Sequence, residues 1–147
     1  MNESRRAFLA GERPADVLMY FDADTVDDVD RLAEAGERVD DGVVLVVDGE
    51  QGRAAFQRAV GVDPMQFSQE AGNRRSTVAA DCTDGVCPHA ADEPDQRHDV
   101  RFVFAFVQEQ NEEVGDIYAE GDVVHGYAQC TCGTAYSQRW VAGERED

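Results

Sequence analysis

Val100-Arg101-Phe102-Val103-Phe104-Ala105-Phe106-Val107 is the stretch whose reading decides the fold. Successive side chains of a strand point to opposite faces. The alternation therefore predicts Val100, Phe102, Phe104 and Phe106 on one face and Val103, Ala105 and Val107 on the other. Both sets are apolar, so this strand needs cover on both sides and belongs in the middle of a sheet. Downstream, turn signals at Asn111 to Glu113, Glu120-Gly121-Asp122 and Cys132-Gly133 separate three further short strand candidates, the last running from Tyr136 to Val141. Together they predict an antiparallel meander.

Upstream the pattern is mixed. A short helix is expected around Ser4 to Ala10, stopped by Gly11 and by Pro14 shortly after. Val17 to Phe21 forms a compact apolar run that reads as a strand. From Thr25 the apolar positions Val26, Val29, Leu32 and Ala33 recur at helical spacing, with Thr25 as cap, Asp27 and Asp28 in the first turn and Gly36 near the end. Val43 to Val47 predicts a buried strand, Asp48-Gly49 a turn, and about Glu50 to Val60 a second helix. Asp63-Pro64 pairs an N-cap with a proline at the first helical position and opens a third helix ending near Gly72. Residues 73 to 98 show little periodicity and are too long for an ordinary connection, so they predict a functional or irregular loop. The expected class is α+β: an N-terminal strand and helix half packed on a C-terminal antiparallel β-meander, in a single domain over residues 1–147. That length buries roughly 68–70% of the unfolded surface without disulfide staples.

Charge narrows the setting. The chain carries 31 acidic residues against 13 basic ones, every one of them Arg, for a formal net charge of −18. Carboxylates at this density repel one another in dilute buffer, whereas at 1 M salt the Debye length falls to about 3 Å. A GC-rich genome alone could remove Lys and leave Ile117 as the single isoleucine, but it would not raise Asp so far. The composition points to a halophilic protein. So negative a surface repels phosphate backbones, and Arg5-Arg6 and Arg74-Arg75 are the largest basic clusters, so nucleic acid is not an expected partner. Without a signal-peptide pattern or an apolar run approaching about 18 residues, the expectation is a cytoplasmic protein with no membrane partner.

In a reducing cytosol, four cysteines suggest metal or redox chemistry rather than a disulfide framework. Cys82 and Cys87 lie in the long loop as Cys-Thr-Asp-Gly-Val-Cys-Pro-His. Cys130 and Cys132 lie at the expected hairpin turn as Cys-Thr-Cys-Gly. Paired thiolates in two tight turns suit tetrahedral zinc, each turn offering half the site. The loop pair falls within the usual spacing of about two to four intervening residues, while the hairpin pair is shorter than that. His89 is the alternative ligand, replacing one cysteine in a Cys3His set. His125 would face away from Cys130 and Cys132 in a regular strand. The competing readings are free thiols acting as small apolar fillers, thiol redox chemistry, and an iron–sulfur cluster. Four protein ligands would make the zinc structural.

Other motifs have plainer readings beside them. Phe21-Asp22-Ala23-Asp24-Thr25 after an apolar strand resembles the first motif of haloacid-dehalogenase-like phosphatases. That resemblance implies Asp22 as nucleophile and Asp24 as general acid. The family also needs a basic residue and a later acidic pair on a larger parallel sheet; this chain has no Lys, and Asp40-Asp41 precedes its strand. Gly49-Glu50-Gln51-Gly52 resembles a phosphate-binding turn but lacks the Lys of a P-loop, so a turn and helix start is the reading. His98 and His125 have no Ser or Cys partner that sequence can place beside them, and are expected to face solvent or hydrogen-bond. Tyr118, Tyr127, Tyr136 and Trp140 lie on the meander, where they build its packed face or line a partner surface.

Gly11-Glu12-Arg13-Pro14, Val39-Asp40-Asp41-Gly42-Val43-Val44, and the segment from Phe102 through Glu113 to Ala128-Gln129-Cys130 resemble an uncharacterised family of short acidic haloarchaeal proteins. The resemblance implies no activity. The leading expectation is a non-enzymatic, zinc-stabilised module that binds another protein. The alternative is an enzyme using reactive cysteines or the Asp22/Asp24 pair. Salt-adapted charge has a direct consequence: circular dichroism is expected to show loss of structure below about 0.5 M salt, where screening weakens. A fold unchanged on dilution would contradict it.

Overall fold

Local signals set most of the elements. In α1 (Glu3–Leu9) the Asn2 side chain accepts from the Arg5 N–H at 2.9 Å. Asp48 caps α3 (Gly49–Val60) by accepting from the Gln51 N–H, and Asp63 caps α4 (Pro64–Gly72), with Pro64 where no intrahelical N–H is needed. Between them run β1 (Asp16–Asp22), α2 (Val29–Ala35), β2 (Glu37–Val39) and β3 (Gly42–Asp48). After the long loop come β4 (Val100–Gln108), α5 (Ile117–Glu120), β5 (Val123–Cys130) and β6 (Ala135–Val141). The structure is a computed structural model describing residues 2–26, 29–39, 41–90, 92, 95 and 98–143; Asp27, Asp28 and Asp40, singled out above, lie outside them. No helix among the described residues is long and apolar enough to cross a membrane.

The fold is α+β, and its strands form one six-stranded sheet in the order β2-β3-β1-β4-β5-β6, every neighbouring pair antiparallel. The N-terminal half meets the meander edge to edge, through β1 pairing with β4. β4 thus has a partner on each side, as its two apolar faces require.

Each face has its own cover. On the first, Phe102 and Phe104 join Val17, Met19, Phe21, Val43 and Leu45 beneath Phe56 of α3 and Phe67 of α4. The Phe56 ring meets those of Phe102 and Phe104 edge-on, both at 5.2 Å between centroids. Gly52 lets α3 settle on β1, since a Cβ there would collide with Val17 Cγ2. On the second face, Leu18, Tyr20, Val103, Ala105, Val124, Ala128 and Tyr136 are covered by Phe8 of α1 and by Val78, Cys82 and Cys87 from the long loop. An irregular segment does there what helices do on the first face. Its start runs along β6: the Ser137 N–H donates to the Arg74 carbonyl at 2.9 Å, the Ser76 N–H to the Ser137 carbonyl at 3.1 Å, and the Val78 N–H to Gln138 Oε1 at 2.8 Å.

Three details depart from the sequence reading. Val100 pairs with Cys130 but Phe102 with Gln129, so Arg101 is the extra residue of a bulge, and Val100 joins Val103 on the second face instead of Phe102 on the first. The strand candidate before Glu120 is instead the short helix α5, because Gly115 and Asp116 both take left-handed φ, +77° and +56°, and break an extended run. β2, too short to show alternation, is an edge strand on β3.

Phe56 is the hub of the first face. Phe56→Ala is expected to cost about 3–5 kcal/mol, read as a lower urea midpoint in molar salt. A loss below about 1 kcal/mol would show that α3 is not the cover this packing implies.

Candidate metal centre

The β5–β6 connection is a tight turn over residues 131–134. The Cys130 N–H donates to the Thr134 carbonyl and the Gly133 N–H to the Cys130 carbonyl, both at 2.9 Å, and Gly133 sits at φ +98°, where a side chain would be strained. Cys130 ends β5 on the second face, and Cys132 rides on the turn. The entry to β4 is fastened to the same turn: the Thr131 N–H donates to the Asp99 carbonyl at 2.8 Å, and the Asp99 N–H to Thr131 Oγ1 at 3.2 Å. His98 therefore arrives beside Cys130. Cys87 comes from the loop, where a bridge between Val78 and Gly85 and a bond from the Val86 N–H to the Thr77 carbonyl fold residues 77–86 back on themselves.

Cys87, His98, Cys130 and Cys132 thus place three sulfurs and an imidazole nitrogen within 4.8 Å of one another, a cluster that could hold a metal ion. Cys87 Sγ and Cys132 Sγ are 3.8 Å apart, and Cys130 Sγ lies 3.5 Å from His98 Nδ1. Two sulfurs each about 2.3 Å from one tetrahedral centre stand about 3.8 Å apart, and a sulfur and an imidazole nitrogen about 3.6 Å. Both observed separations match those edges.

The surroundings favour a charged sulfur at Cys132 and oppose one at Cys130. The His89 N–H donates to Cys87 Sγ at 3.4 Å. Burial alone would raise the Cys132 thiol, but hydrogen bonds with the hydroxyl and N–H of Thr134, then with the thiols of Cys130 and Cys87, bring it below the ordinary value. Thr134 Oγ1 lies 3.3 Å away. Cys130 goes the other way, pushed up by burial first.

Of the residues singled out from the sequence, the structure brings together Cys87, Cys130 and Cys132. Cys82 is fully buried in the apolar layer with Val78 and Tyr136, at a backbone φ of +65°, and is not one of the four clustered ligand groups. His89 offers its backbone N–H to the cluster, while its ring Nδ1 stands 3.8 Å from Asp92. His98, expected to face solvent or hydrogen-bond, does have a hydrogen-bond partner, the Cys130 sulfur, and with it takes the fourth place in the cluster. Its sequence signal was its position two residues before a strand; what could not be read was the Val100–Cys130 register, because β4 and β5 are joined by a long connection rather than a tight hairpin.

His125 does face away from Cys130. It stacks between Phe106, Tyr118 and Tyr127, donates from Nε2 to Gln108 Oε1 at 3.0 Å, and has its pKa pushed down to about 4 by burial and then by Arg139. Tyr136 and Trp140 are core residues of the second face. Asp22 and Asp24 line a cavity of about 820 Å³ together with Asp41, Asp81, Asp84 and Asp99. Arg5 also lines it, with its guanidinium 3.0 Å from Glu37. Such a wall repels phosphate, and β1 is antiparallel to both its neighbours, so the likeness to phosphatases stops at the motif itself.

The chain belongs to a family of unknown function, DUF5807, whose model matches residues 36–143 and so spans all four clustered side chains. Comparison with curated proteins and with solved structures finds no match. The geometry separates ligands from bystanders. Cobalt uptake, followed by its thiolate absorption, is expected to persist in Cys82→Ala and His89→Ala and to weaken at least about tenfold in His98→Ala or Cys87→Ala. Equal losses in all four variants would place the ligands elsewhere.

Proposed function

We propose that Cys87, His98, Cys130 and Cys132 bind one zinc ion as a structural centre. On this proposal the chain is a non-enzymatic module of a salt-adapted cytoplasm, and its partner is another protein. The observation that carries the zinc reading is the pair of tetrahedral edges, 3.8 Å between Cys87 and Cys132 sulfurs and 3.5 Å between Cys130 and His98. Three thiolates and one imidazole are a soft set that selects zinc over the oxygen-seeking cations. Four protein ligands close the coordination sphere, so the ion would organise the chain rather than activate a substrate.

What it would organise is the cover of the second face. The described residues of 73–99 hold no helix or named strand, and ordering a residue costs roughly 1–2 kcal/mol of backbone entropy. Their apolar return is small, chiefly Val78, Ala80, Cys82 and Cys87. A metal joining Cys87 and His98 to the hairpin turn fixes the loop at two points and offsets that cost. A protein partner is supported by the half-buried aromatic stack of Phe106, Tyr118, His125 and Tyr127 beside Arg139, residue types enriched where proteins meet. The net charge of −18 supports working in molar salt.

The test is metal analysis of protein purified in molar salt without added zinc. One zinc per chain is expected, and its removal by a chelator should make residues 73–98 the first site of proteolysis and lower the melting temperature. A metal-free chain of unchanged stability would overturn the reading.

A further inference from the structure

We infer that the centre is a clasp which a hydroperoxide opens by joining Cys87 to Cys132 and expelling the metal, an inference that rests on the zinc reading above. The two sulfurs are already 3.8 Å apart on segments 45 positions distant in sequence, so a disulfide near 2.05 Å needs an approach of under about 2 Å. The approach is available because Cys132 rides on the tip of a turn, next to Gly133, while its neighbour Cys130 is held in the β5 ladder opposite Val100. Cys132 is also the half-exposed thiol of a set in which Cys87 and Cys130 are buried. It is the sulfur an oxidant from solvent meets first.

The chemistry balances with the peroxide as the only oxidant. The Cys132 thiolate attacks one peroxide oxygen; the S–O bond forms as the O–O bond breaks, and the departing hydroxide takes a proton from solvent. The Cys87 thiolate then attacks the sulfenyl sulfur; the S–S bond forms as the S–O bond breaks, and the second hydroxide is protonated. The two sulfurs together lose two electrons, and the peroxide gains them to become two waters (or one water and an alcohol). Left with Cys130 and His98, the zinc departs as the divalent ion and Cys130 takes a proton. The disulfide keeps Cys87 on the hairpin turn while His98 is let go, so oxidation loosens the entry to β4 without stripping the loop from the sheet.

The experiment uses the zinc-loaded full chain in molar salt, treated with one equivalent of hydrogen peroxide. A chromogenic chelator reports released zinc, a thiol reagent counts free cysteines, and peptide mapping locates any link. The expected result is stoichiometric zinc release, loss of half the free thiols, a Cys87–Cys132 linked peptide, and recovery with a dithiol reductant plus zinc. Cys82→Ala should release zinc and form the same link. Release accompanied by sulfinic acid, or by a link through another pair, would overturn the inference, as would zinc retained under peroxide. A chain that takes up no zinc at all would instead overturn the reading beneath it.

Discussion

Covering both faces of β4 is the requirement from which the other layers follow. Phe102 and Phe104 on one side and Val103 and Ala105 on the other would each leave apolar surface in water at about 25 cal/mol per Å² if bare. The first face meets it conventionally, with the amphipathic helices α3 and α4 laying Phe56 and Phe67 on the strand. Among the described residues, the second face is covered by α1 and an irregular loop. The loop's start is bonded to β6 at Arg74, Ser76 and Val78, and the cysteine and histidine cluster lies farther along, where Cys87 and His98 meet the hairpin turn.

The bulge at Arg101 connects sheet geometry to the centre. By inserting one residue, it turns Val100 to the second face opposite Cys130. The bonds between Asp99 and Thr131 then tie the entry of β4 to the hairpin turn and bring His98 within reach of the Cys130 sulfur. Bulges next to functional sites re-aim side chains in this way. Tertiary register, more than local spacing, assembles the cluster.

That division marks what could be read from sequence. The double-sided apolar pattern of β4, the Asp48 and Asp63-Pro64 caps and the turn at Cys132-Gly133 are local signals, and the elements they announce are present. Long-range facts were not legible. A bulge changes face without changing composition, so alternation alone puts Val100 on the side opposite to the one it occupies. Left-handed backbone at Gly115 and Asp116 turned an expected strand into α5. The spacing of Cys82 and Cys87 suits a metal knuckle, but Cys82 is buried in the apolar layer and stands outside the cluster. His98 carried no motif, since its partner stands across a connection whose length leaves register free.

Zinc-edge X-ray absorption on the protein as purified tests the central claim most directly. The result expected is a first shell of three sulfurs at about 2.3 Å and one nitrogen at about 2.0–2.1 Å. A shell of oxygen and nitrogen alone, or the absence of zinc from a fully folded chain, would contradict the view that a closed Cys3His centre holds the long loop against the sheet.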